Sequence, residues 1–102
     1  MSFKKQYLKT KPICKVTFKL SKEEAKSANE VAIVGDFNNW QKQALLMKRL
    51  KNGGYSASVD LETDNKYQFR YLLDSEKWEN DWAADAYVPS PLSLEDNSVI
   101  SV

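Results

Sequence analysis

Residues 52–73 read NGGYSASVDLETDNKYQFRYLL, and this stretch decides the fold class. Two runs of strict alternation lie between turn signals. In the first, Tyr55, Ala57, Val59 and Leu61 alternate with Ser56, Ser58 and Asp60; in the second, Tyr67, Phe69, Tyr71 and Leu73 alternate with Gln68, Arg70 and Leu72. A repeat of two residues belongs to a strand with one face buried, because successive Cβ atoms point to opposite sides. Asn52-Gly53-Gly54 is a hairpin turn signal ahead of the first run, and Thr63-Asp64-Asn65 reverses the chain between the two.

The same period extends outward in both directions. Cys14, Val16, Phe18 and Leu20 alternate with Lys15, Thr17 and Lys19. Val31-Ala32-Ile33-Val34 suits a central strand, residues 45–50 (LLMKRL) a modest one, and residues 98–102 a closing one. Residues 21–30 (SKEEAKSANE) lack an apolar stripe and read as a loop with room for one helical turn. Residues 74–96 read as loop-like, with Pro89 and Pro91 marking non-helical backbone. Short strands separated by turns, without long helices between them, predict an all-β, immunoglobulin-like antiparallel sandwich. A chain of 102 residues with 42% apolar content has room for one core, so a single domain is expected over 1–102. Residues 1–11 are either an edge strand or a mobile arm.

Composition excludes several function classes. Fifteen basic against 14 acidic residues give a net charge of +1, without the basic excess of a nucleic-acid binder. The early lysines (Lys4, Lys5, Lys9, Lys11, Lys15, Lys19) are interleaved with strand residues and read as a solvated, aggregation-resistant edge. Cys14 is the lone cysteine, so an intrachain disulfide and a Cys-built zinc site are ruled out. Its place in an alternating run makes it a small buried hydrophobe. With no histidine, the commonest general acid–base group is missing, and no phosphate-binding glycine loop is present. A non-catalytic protein needing no cofactor or metal is expected. No apolar run approaches the roughly 18 residues that span a bilayer, and the first residues lack a secretory signal's apolar stretch. A cytoplasmic monomer is expected.

The tryptophans are placed unusually. Trp40 follows the polar turn Asp36-Phe37-Asn38-Asn39, while Trp78 and Trp82 lie in the charged run EKWENDWAAD of residues 76–85. Such indoles are either flat platforms for a ligand or partly buried lids on the sandwich. A pyranose ring fits a platform, since it stacks its C–H face on an indole while Asn, Gln, Lys or Arg bond its rim hydroxyls. Arg70, on the outward phase of its strand, is a candidate donor fork, an ordinary solvated arginine, or a partner to a Glu or Asp on the next strand.

Residues 31–40 (VAIVGDFNNW), 67–74 (YQFRYLLD), Trp78 and 97–102 (NSVISV) together resemble the glycogen- and starch-binding module of isoamylases, pullulanases and branching enzymes. The same module forms the glycogen-binding domain of the AMP-activated protein kinase beta subunit. The resemblance spans roughly residues 12–102, and Gly35-Asp36-Phe37-Asn38-Asn39-Trp40 is its most specific block. It implies α-glucan binding, with Trp40 and Trp78 as platforms and Arg70 and Asn97 bonding hydroxyls. Arg70 stands where a lysine is usual, which keeps the charge and changes donor geometry. Leu94 falls where those members insert a leucine into the glucan helix, and Trp82 is a further aromatic candidate. Many enzyme-attached modules of this kind bind glucan poorly, so the resemblance equally implies a docking module for a separate glucan-active enzyme, its tryptophans serving as interface anchors.

Overall fold

The structure, a computed structural model, describes residues 1–91 and 95–102. Among them run nine strands: β1 Ser2–Tyr7, β2 Ile13–Leu20, β3 Val31–Gly35, β4 Lys48–Arg49, β5 Tyr55–Glu62, β6 Lys66–Leu73, β7 Lys77–Glu79, β8 Ala86–Pro89 and β9 Asp96–Ser101. They form two antiparallel sheets, ordered β1-β2-β5-β4 and β3-β6-β9-β8, with β7 also paired to β6. The architecture is the expected immunoglobulin-like sandwich without a disulfide, and Cys14 is fully buried.

The alternation explains the core. Val16 and Phe18 of β2, Leu61 of β5, Ile33 of β3 and Phe69 and Tyr71 of β6 meet between the sheets. Phe18 and Phe69 meet edge-on, with ring centroids 5.3 Å apart. Each such side chain, once buried, contributes roughly 1.5–3 kcal/mol of transfer free energy. The two decisive runs do not pair with each other. Thr63-Asp64-Asn65 carries the chain from one sheet to the other, with Asp64 at φ 61° making the left-handed reversal. The Asn52–Gly54 turn does close a hairpin, joining β4 to β5.

The structure corrects two expectations and decides between the two alternatives for the first residues. Residues 45–50 do not form one strand: Leu45 and Met47 bond β3 in one sheet, and only Lys48–Arg49 pairs with β5 in the other. This crossing segment closes one flank of the sandwich. Residues 74–96 contain β7 and β8, whose exposed edge positions show no alternation to read. Residues 2–7 are an ordered edge strand with exposed Lys4 and half-buried Lys5, whose ion pair to Asp85 (2.8 Å) helps close the opposite flank. Residues 21–30 fold as turns around a reciprocal pair, the Ser21 amide donating to Glu24 Oε1 and the Glu24 amide to Ser21 Oγ.

A buried polar cluster ties the loop after β7 to the sheet. The fully buried Asp81 accepts from the Tyr71 hydroxyl (2.7 Å) and from the Ala83 amide (2.8 Å), while its own amide donates to Ser98 Oγ (2.9 Å). Burial, and then the charge and hydrogen bond of Asp81, push the Tyr71 phenol well above its ordinary value of 10.0. The folded state thus keeps a proton that the unfolded chain releases. The associated stability is fully present below pH 10.0 and is lost as pH rises beyond it. Tyr71→Phe removes the donor from a buried carboxylate and is expected to cost about 1–3 kcal/mol at neutral pH. It should also flatten the alkaline loss of stability, as read by urea unfolding at neutral pH and above pH 10.0.

Candidate functional site

The turn after β3 builds one wall of the site. Gly35 lets β3 run close to β6: a Cβ there would lie 2.5 Å from the Gln68 carbonyl oxygen. The chain then makes a short 3₁₀ turn over Asp36–Asn38. Asn38 braces this turn from within, accepting from the Gly35 amide (3.0 Å) and donating to the Ile33 carbonyl (2.9 Å). Phe37 packs inward beside Phe18, Phe69 and Tyr67. Asn39 and Trp40 both take left-handed backbone, at φ 56° and 57°, a conformation that costs a tryptophan on the order of 1 kcal/mol or more. The result presents the indole on the outer face of the β3-β6-β9-β8 sheet, resting on Ala32, Val34 and Leu72. Its Nε1 donates to Asp36 Oδ1 (2.9 Å), and Asp36 Oδ2 accepts from the Gln68 amide of β6 (2.8 Å).

The opposite wall comes from a change of partner along β6. From Lys66 to Phe69 one edge of β6 pairs with β9; from Tyr71 to Leu73 it pairs with β7. Arg70 sits at the changeover. In β7, Trp78 pairs with Leu72 and is 36% exposed. Both tryptophans therefore stand beside the same leucine.

Arg70 does lie on the outward phase, yet it is only 7% exposed rather than solvated. Neighbours cover the outer face here: Arg70 Nε donates to Asn97 Oδ1 (2.6 Å), Nη2 to the Glu95 carbonyl (3.0 Å), and Nη1 lies 3.7 Å from the Glu95 carboxylate. Asn97, also buried, donates from Nδ2 to Gln68 Oε1 (3.0 Å). A guanidinium, a carboxamide and a second carboxamide thus form one hydrogen-bonded row across β6 and β9.

These walls enclose a cavity of about 410 Å³, a size suited to small ligands. Trp40 and Trp78 line it together with Arg70, Asn97 and Gln68, and Asp36, Ser90 and Pro91 complete it. The arrangement offers two apolar ring faces above a floor of fixed polar groups, which suits a ligand with flat C–H faces and many hydroxyls. Four of the sequence candidates meet here. Trp82 does not: it is 58% exposed, outside this lining, with its Nε1 donating to Glu79 Oε1 (3.2 Å). Leu94 lies outside the described residues. Gln68 was not singled out from the sequence, although it shares Arg70's outward phase two residues away. Asp36 was read as a turn former, and its second task, bonding the indole, has no signature beyond the four-residue spacing to Trp40.

No match to a curated protein was found. The family model for carbohydrate-binding module 48, described as the isoamylase N-terminal domain, matches residues 14–88. That stretch contains β3 to β7 and all of β2 but its first residue, with the braced turn and both cavity tryptophans. With most of its length matched and this sandwich built around it, the chain belongs to the carbohydrate-binding module 48 family.

Proposed function

We propose that the chain binds α-glucan, a glycogen- or starch-like polysaccharide, without catalysing its reaction. The observation that carries this reading is the convergence of Trp40 and Trp78 on one cavity whose floor holds Arg70 and Asn97. Consecutive glucose rings stack their C–H faces on the two indoles. Rim hydroxyls bond the guanidinium N–H groups and the Asn97 and Gln68 carboxamides. The bonds from Arg70 to Asn97 and Glu95 fix the guanidinium plane, so its contribution is orientation as much as charge. The α-linked class is supported by family membership, since the matching family is named for an isoamylase domain.

Two stacked rings and a few hydroxyl bonds give modest affinity, micromolar to millimolar for a short oligosaccharide, rising on a branched polymer through multivalency. The test is native affinity electrophoresis in gels with and without glycogen, and with a soluble β-linked glucan for comparison. Retardation by glycogen alone, reversed by free maltoheptaose, is the expected result. Unchanged mobility at high glycogen overturns the reading and leaves a docking role as the alternative.

A further inference from the structure

Trp78 lines a second cavity besides the one it shares with Trp40. This cavity, of about 620 Å³, is also lined by Tyr87, Glu79, Asn80, Asp96, Glu95 and Lys26. We propose that it is a second saccharide subsite, taking the rings of the same polysaccharide chain that continue past Trp78. The inference rests on the α-glucan reading and extends it to residues with no role there.

Continuity of the surface is the first reason. A polymer bound through internal rings runs on beyond a cavity sized for one or two of them, and an adjoining open cavity that shares an indole lies on its path. Aromatic exposure is the second. Tyr87 is 45% exposed, and with Trp78 it gives the cavity two large ring faces in a polar surface. Tyr87 is also held in place, its hydroxyl donating to the Asp81 carbonyl (2.5 Å) and accepting from the Ala84 amide (3.4 Å). A fixed ring loses little freedom when a sugar stacks on it.

Polar chemistry is the third reason. The Glu79 carboxylate is oriented by Lys26 (2.5 Å) and by the Trp82 indole N–H (3.2 Å), leaving lone-pair capacity for a hydroxyl donor. The exposed Asp96 carboxylate has no bonded partner among the described residues. Three carboxylates (Glu79, Glu95, Asp96) against one ammonium, Lys26, which is itself paired to Glu79, favour a neutral polyol over an anion. Trp82, outside the first cavity, thereby acquires a task as the clamp on Glu79.

Calorimetric titration with maltotriose and maltoheptaose tests this. The wild type is expected to bind maltoheptaose more than about tenfold tighter than maltotriose, beyond the statistical gain from extra registers on the longer chain. Asp96→Ala and Tyr87→Leu should each lower maltoheptaose affinity at least threefold, with maltotriose affinity unchanged. Asp96→Ala removes an exposed carboxylate and leaves the fold intact should Tyr87→Leu prove unstable. If maltotriose binds and neither variant separates the two ligands, the subsite is refuted while the α-glucan reading stands. If the wild type binds neither saccharide, the reading and the subsite fail together.

Discussion

Trp78→Ala is expected to abolish retardation by glycogen, with affinity falling at least about tenfold, while the fold keeps nearly all of its stability. The indole is 36% exposed and sits on a three-residue strand, so its truncation opens no sealed core cavity. Trp40→Ala should lose binding to the same degree and lose stability as well, by about 2 kcal/mol. That indole packs on Ala32, Val34 and Leu72 and donates to Asp36, so its removal strips an apolar contact and leaves the carboxylate short of a donor. Affinity gels and urea unfolding of both variants give the check. Equal stability loss in the two would contradict the packing argument, and glycogen retardation retained by both would contradict the platforms themselves. Phe substitutions should recover part of the binding, since a smaller ring still offers an apolar face.

Gly35→Ala is expected to cost about 3 kcal/mol, which lowers the melting temperature by roughly 10 °C or more in a domain of this size. The difficulty is close approach and not dihedral preference, because Gly35 is extended at φ −172°. An added methyl would lie 2.5 Å from the Gln68 carbonyl oxygen and 2.7 Å from the Phe69 Cβ. Both belong to central strand β6, which is held between β3 on one side and β9 and β7 on the other and has no room to retreat. Glycan affinity should fall too, because the displaced turn carries Asp36 and Trp40. A melting temperature within about 2 °C of wild type would show that β3 and β6 separate more easily than their pairing implies.

Much of this fold is written in period-two patterns, and the failures of reading fall where that period is absent. β2, β3, β5, β6 and β9 each bury one face or both, so their apolar residues are visible in the sequence. β7 and β8 are short, mostly exposed strands whose pairing is decided by backbone bonds to β6 and β9. No side-chain pattern records such bonds. Residues 45–50 read as one strand because Leu45, Leu46, Met47 and Leu50 dominate them, yet the segment is divided between the two sheets. Trp40, Trp78 and Arg70 were legible as sugar-binding candidates from their polar surroundings and strand phase, whereas Asn97 and the meeting of all four came only through the family resemblance. The burial of Arg70 was not legible at all, since it depends on Asn97 and Glu95 arriving from 25 or more residues away. The sequence offers solvent or an acidic partner on the next strand for an outward arginine; Glu95 supplies that partner, and together with Asn97 it covers the face.

The Asp36 carboxylate joins the Trp40 indole to the Gln68 amide of the central strand (2.9 and 2.8 Å). A tryptophan free to rotate at a surface would lose about 0.5–1.5 kcal/mol of rotamer entropy when a ligand pins it. Here folding has already removed that freedom, so the ordering cost of binding falls on the sugar and its water. Association then needs no slow rearrangement of this wall. Differences in affinity among glucans should accordingly be expressed in how quickly each leaves, and far less in how quickly each arrives.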